Sequence, residues 1–268
     1  MKAPAPLEVG ELINGRYRVE QVYPLDTCTF YRTAIPGEEP ALYLVRESGR
    51  SAASAQRVSE LFEQTLPHVA RHRERFQMDG HTYTVLDHPG QGWRSLARVR
   101  VPLGEGALAF TWTHQLAQAL AALHRAGYGE WPAGPAGREG ILIDQDGEIL
   151  IADLSLAQPA GENTVRADSH ILLSLLVYLS SGQSWQPPAP PPAELPPAVQ
   201  AVVARFSGDA SPNYEELVAT IAEPAGTAQA TPPAGPVPVL RQLAGIATDV
   251  GRERSNNQDM VAALHFSL

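Results

Sequence analysis

Four side chains in this chain stand where charge chemistry is conceivable. Asp153 closes the run Gly140 to Ala157, GILIDQDGEILIADLSLA, so that a short apolar hairpin delivers one carboxylate to its rim. Arg46 ends the apolar stretch Tyr43-Leu44-Val45-Arg46, with Glu60 and Glu63 in the next segment as ion-pair partners. Arg254 and Asp259 lie in a polar turn, Arg252-Glu253-Arg254-Ser255-Asn256-Asn257-Gln258-Asp259. A carboxylate at a rim can hold a hard cation such as magnesium, yet a lone one binds it weakly unless phosphate oxygens complete the octahedron. An arginine offers a planar fork suited to phosphate or carboxylate. Glu130, between Arg46 and Asp153, is a group that could move a proton, whereas His124 reads as a packing histidine on its helix.

The elements that must position these groups fall into two kinds. Tyr17 to Tyr23, Phe30 to Thr33 and Ala41 to Val45 alternate apolar and polar residues and are split by Pro24 and by Pro36-Gly37, which predicts an antiparallel meander. Ser51 to Leu66 carries a helical stripe (Val58, Leu61, Phe62, Thr65, Leu66) that stops at Pro67. Asp79-Gly80 joins two further strands, Arg75 to Met78 and Thr82 to Leu86. From Ala107 to Ala126 an alanine- and leucine-rich helix is predicted, ending at Gly127. After the hairpin (Ile141 to Ile143, a turn at Asp144-Gln145-Asp146-Gly147, and Glu148 to Ala152), helices are expected over Asp168 to Ser180, Pro197 to Phe206 and Tyr214 to Ala222. The proline run Gln186 to Pro192 cannot be helix and reads as a surface loop. The fold class is α+β, a β-rich lobe with one helix followed by an α-rich lobe.

A proline- and alanine-rich stretch, 224–238, has almost no large apolar side chain and reads as a linker, with one domain over 11–223 before it and a different segment over 239–268 after it. The 268 residues are 44% hydrophobic, enough for a buried core. The 29 acidic residues exceed the 20 basic ones, a formal charge of -9, which argues against nucleic acid or an anionic membrane as partner. The basic cluster Arg71 to Arg75 reads as a solvated face. A single cysteine, Cys28, excludes an intrachain disulfide and a cysteine-built zinc site, in keeping with a reducing cytoplasm. The opening MKAPAPLEVG has no apolar signal core, and Ile171 to Leu179 is too short to span a bilayer.

The order of elements over Glu11 to Glu223 resembles the protein kinase fold. The resemblance implies roles that can be compared residue by residue. The turn matching the glycine-rich phosphate loop, Pro24-Leu25-Asp26-Thr27-Cys28-Thr29, has no glycine and carries an acidic residue. Arg46 stands for the lysine of V-A-I-K, and Asp153-Leu154-Ser155 for D-F-G, which makes Arg46 and Asp153 a degenerate nucleotide and metal site. For the catalytic loop, counting forward from Leu123-His124 puts Glu130-Trp131-Pro132 at H-R-D. Counting back from the hairpin puts Pro135 at its aspartate and Gly140 at the metal-holding asparagine. Neither count supplies an aspartate or an asparagine, so Glu130 would be at most a displaced base. No A-P-E follows Asp153, and Asp168 resembles the buried aspartate that begins a large helix and serves architecture. The resemblance therefore implies a pseudokinase with no catalytic residues.

The segment Thr248 to Asp259 is similar to the opening of a metal-dependent protein serine/threonine phosphatase of the PPM family, in which D-x-G is followed by R-x-N-N-[QE]-D. By that resemblance Arg254 is the phosphate-binding arginine and Asp259 a metal-binding carboxylate, in chemistry where two ions activate water. The D-G-M-G-G stretch of such a domain would lie beyond Leu268. No cofactor is expected in this chain; a complete phosphatase domain would use Mg or Mn. The function implied is a cytoplasmic regulatory or targeting module for a linked phosphatase in bacterial-type phospho-signalling, with protein partners or phosphoprotein substrates. Two alternatives stand beside it: an atypical ATP-binding kinase using Asp153, Arg46 and Glu130, and a pure interaction scaffold presenting Pro187 to Pro192.

Overall fold

The computed structural model describes residues 6–26, 28–38, 42–48, 61, 64–90, 92–99, 106–132, 134–144, 146–152, 154, 157–208 and 213–229. Asp153, Glu60, Glu63, Arg254 and Asp259 lie outside them, as do the side chain of Arg46 and most of the helix expected over 51–66. The architecture is mixed α+β.

Eleven strands are seen among the described residues: β1 (Leu12–Ile13), β2 (Tyr17–Pro24), β3 (Cys28–Ala34), β4 (Leu42–Ser48), β5 (His72–Met78), β6 (His81–Asp87), β7 (Arg94–Ser95), β8 (Tyr128–Gly129), β9 (Ile141–Ile143), β10 (Ile149–Ile151) and β11 (Gln158–Pro159). The first six form one antiparallel sheet in the order β1-β2-β3-β4-β6-β5. The Asp-Gly signal between β5 and β6 does what its chemistry requires. Asp79 and Gly80 have φ of 51° and 81°, the left-handed pair that a two-residue hairpin turn needs. β5 starts earlier than its apolar alternation suggests because the chain before Arg75 continues the ladder through a bulge, with His72 opposite Leu86 and Glu74 opposite Val85. Arg73 is the extra residue.

Among the described residues the helices are α1 (Gly106–Arg125), α2 (Pro135–Glu139), α3 (Thr164–Ser181), α4 (Pro197–Phe206) and α5 (Tyr214–Gln229). α1 buries Phe110, Leu116, Leu120 and Leu123 at helical spacing, and each such side chain contributes about 1.5–3 kcal/mol when removed from water. It stops at Gly127, whose φ of 82° closes the last turn. The helical core gathers α1, α3, α4 and α5 around Trp112, Leu172, Leu176, Val199 and Leu217. Two of these helices depart from the expected bounds. α3 begins at Thr164, ahead of Asp168, and α5 runs through Pro224 to Gln229 into residues read as linker. The extension of α5 has a packing reason, since Ala225 is buried in the helical core.

Strands β9 and β10 form the expected hairpin, with Ile143 opposite Ile149 and Ile141 opposite Ile151, and β7 extends it on the β9 side. The Asp144 carboxylate accepts from the N–H groups of Asp146 and Glu148, each at 2.9 Å, which folds the turn. α1 grips the hairpin with two side chains: Trp112 Nε1 donates to Gly147 O at 2.8 Å, and Gln115 Oε1 accepts from Ile149 N at 3.0 Å. On its other side β10 meets the chain leading into β5. Ile151 N donates to His68 O at 2.8 Å and Ala70 N to Ile151 O at 2.9 Å.

The proline-rich loop between α3 and α4 is held against the helices. Trp185 is buried, its Nε1 donates to Ala189 O at 2.8 Å, and Ala189 N closes a turn on Gln186 O.

Candidate functional site

The chemistry expected of the segment from His124 to the hairpin depends on where its backbone goes. α1 ends, β8 follows, and Glu130 then turns with φ of 53°, a left-handed conformation that a side chain of this size adopts only when its surroundings impose it. What imposes it is Asp168. This residue sits on α3 with its side chain 0% exposed, and a buried carboxylate must find donors. Three converge on it: Trp131 N at 2.9 Å on Oδ1, with Glu130 N at 3.2 Å and His124 Nε2 at 2.6 Å on Oδ2. A carboxylate only accepts, so the His124 proton is on Nε2.

Close approach at this node explains Gly129. A Cβ there would come within 2.1 Å of Thr164 Cγ2 and 3.0 Å of Asp168 Oδ2. Thr164 Oγ1 in turn accepts from Gly161 N at 2.6 Å and donates to Glu130 Oε1 at 3.4 Å. The Glu130 carboxylate is thus tied to the start of α3, and its backbone to Asp168. Trp131, buried, donates Nε1 to Gly137 O at 3.3 Å and fixes α2 behind it.

α2 brings up the residue that sequence reasoning missed. Glu139 is 2% exposed and faces the turn between β2 and β3. Its Oε1 accepts from Asp26 N at 3.0 Å, and its Oε2 lies 4.0 Å from Cys28 Sγ, the reach of a weak S–H bond. Arg98 Nη2 donates to Pro24 O at 3.1 Å on the same turn. The only sequence signal was that Glu139 and Glu130 are the two acids between His124 and the hairpin.

Beneath this turn the space between the six-stranded sheet and the hairpin is filled by apolar side chains. Phe30, Leu44, Leu86, Leu142 and Ala152 are each 0% exposed and form one cluster with Cys28 and Ala70. Tyr23, Leu25 and Trp93 close its edge, with Trp93 meeting Tyr23 and Phe30 edge to face at 4.9 and 5.4 Å between ring centres. Burial pushes the Tyr23 hydroxyl above its ordinary pKa, with Arg32 acting in the opposite direction. His72 Nε2 bonds Ala152 O at 3.2 Å and stitches β5 to the residue after β10.

Of the residues singled out from the sequence, the structure brings together His124, Glu130 and Asp168. Arg46 occupies β4 opposite Phe30 and Thr84 in the ladder. Glu130 and Trp131 are pinned by their backbone N–H groups on Asp168, and Pro135 begins α2. Chemically, both oxygens of Asp168 and both of Glu139 are engaged with donors of the protein itself. Among the described residues no group of three or more His, Cys, Asp or Glu converges as a metal ion would require. No helix among them is long and apolar enough to cross a membrane. No protein-family model matches the chain, and no curated protein matches it.

Proposed function

We propose that the chain is a kinase-like, bilobal regulatory or targeting module without phosphotransfer activity, serving a linked PPM-type protein serine/threonine phosphatase in the cytoplasm. The observation that carries the non-catalytic part is Glu139. In the kinase reading, the turn between β2 and β3 is the one whose backbone N–H groups would grip nucleotide phosphates. Here the Asp26 N–H is held by a carboxylate of the same chain, an anion already in the place of an anion. A phosphate would have to displace it and would meet its charge at short range. In the same kinase reading, the apolar cluster of Phe30, Leu44 and Leu142 stands where a base would lie, which supports the absence of a nucleotide. Glu130, the one side chain proposed as a displaced base, has its carboxylate bonded by Thr164. The phosphatase part rests on the resemblance of Thr248 to Asp259, with Arg254 binding phosphate and Asp259 holding Mg or Mn in the complete domain.

Two measurements test the two parts separately. Thermal unfolding of this chain with ATP and magnesium is expected to leave Tm unchanged. Ligand at a hundred times its Kd would add about 2.7 kcal/mol to folding stability, so a saturable rise of several degrees would overturn the non-catalytic reading. For the regulatory part, phosphopeptide hydrolysis by a polypeptide carrying an intact phosphatase domain is compared with and without residues 1–223. A change in rate or substrate preference is expected, and identical kinetics would sink it.

A further inference from the structure

A cavity of about 300 Å³ opens beside the start of β5. Its size is within the range of small-ligand sites. Leu66 and Val69 make one wall apolar, Arg71 and Arg73 supply basic groups, and Gln64, Thr65 and the buried His72 complete the lining. The bulge at Arg73 is the kind of irregularity that re-aims a side chain out of the regular ladder.

The charges do not balance within the described residues. Arg71 and Arg73 both face one carboxylate, Asp87. Arg73 bonds it closely through Nε, whereas Arg71 Nε stands at 4.0 Å, an ion pair without a hydrogen bond, and its side chain is 71% exposed. The backbone of Asp87 is tied to the same strand start, its N–H donating to Arg71 O at 2.9 Å. Two guanidinium forks therefore share one two-oxygen acceptor, one bonded to it and the other held only at ion-pair distance. A phosphate monoester brings three acceptor oxygens and a charge between about -1.5 and -2, the chemistry that paired arginines recognise. The apolar wall adds a requirement for an aliphatic neighbour. We propose that this cavity receives a phosphorylated side chain of a partner polypeptide, flanked by an apolar residue. The inference does not depend on the phosphatase reading.

The test is a titration of the full chain, followed by its backbone amide resonances, with acetyl-Leu-phosphoSer-amide, its serine and glutamate counterparts, and inorganic phosphate. Saturable shifts confined to residues around 64–73 are expected, with the phosphopeptide binding at least about tenfold more tightly than the other three. Arg71→Ala should weaken it by about tenfold, and Arg71→Lys by less, because lysine keeps the charge but not the fork. Arg71 is exposed, so an otherwise unchanged spectrum shows that the variant is folded. Equal affinity for the phospho and unphosphorylated peptides, or no effect of Arg71→Ala, would overturn the site. A tighter glutamate peptide would overturn the phosphate assignment, and inorganic phosphate binding as tightly as the phosphopeptide would overturn the polypeptide partner.

Discussion

Replacing Asp168 by alanine tests whether the segment after α1 is held by one carboxylate. The change removes three acceptor bonds at once. Trp131 N is the costliest donor to orphan, because its residue is 2% exposed and water cannot take over. An unsatisfied buried donor costs about 1–3 kcal/mol, and removing one member of a buried charged network about 3–5 kcal/mol. Glu130 N and His124 are partly reachable by solvent, so a loss of about 4 kcal/mol is expected, a large share of the roughly 5–15 kcal/mol that holds a domain together. At about 2–4 °C per kcal/mol for a domain of this size, Tm should fall by about 8–16 °C. Asp168→Asn should be much milder, about 1–2 kcal/mol. Its amide oxygen can keep Trp131 N, and its NH2 can donate to His124 once that ring takes the other tautomer, so that only the bond from Glu130 N is lost. Urea unfolding followed by tryptophan fluorescence measures both, and His124→Ala in either background completes the cycle. An alanine variant within about 1 kcal/mol of the parent, with the same m-value, would refute the idea that Asp168 organises this segment.

Gly137→Ala should destabilise by at least about 3 kcal/mol, beyond most overpacked sites, because its Cβ would lie 1.9 Å from the backbone oxygen of Pro132. Gly106→Ala, with open space around its Cβ, is the control and should be neutral or stabilising in the same thermal scan. Burial lowers the pKa of His88, His114 and His170 from the usual 6.5, helped by Arg32, His68 and Arg166 respectively. The unfolded chain then binds more protons than the native one just below that value, so stability is complete above about pH 6.5 and falls as the pH drops through it. Tm at pH 5.5 should be lower than at pH 7.5, the difference should shrink in His88→Gln, and a flat profile would contradict the burial of these rings.

Local signals carried much of this architecture. The Asp-Gly turns at 79–80 and 146–147, the stripe of α1 and its stop at Gly127 follow from residue types a few positions apart. The misses all involve partners far along the chain. α5 continues past Pro224 because Ala225 finds a packed core, something no reading of 224–238 by itself reveals. β5 extends back to His72 because β6 offers it a ladder and the residue after β10 a carbonyl. The burial of Asp168 was recognisable, but neither its place inside α3, which begins at Thr164, nor the hydrogen bond from His124 was. Glu139 was invisible because its meaning lies in a turn 113 residues earlier. Of the candidate site, the burial of Asp168 was legible; the loop it holds and the closure by Glu139 were not.

The hydrogen bonds between β10 and the chain entering β5 bear on how far the protein can be divided. Ile151 exchanges backbone bonds with His68 and Ala70, and His72 reaches Ala152. Cutting the chain between β6 and α1 would therefore not yield two self-sufficient fragments. The first piece would carry the unpaired N–H of Ala70 and C=O of His68 and the exposed faces of Phe30 and Leu44. The second would carry Leu142 with nothing to cover it. Neither half has a boundary of its own, and expression as separate pieces should give aggregates that regain a native spectrum only when refolded together.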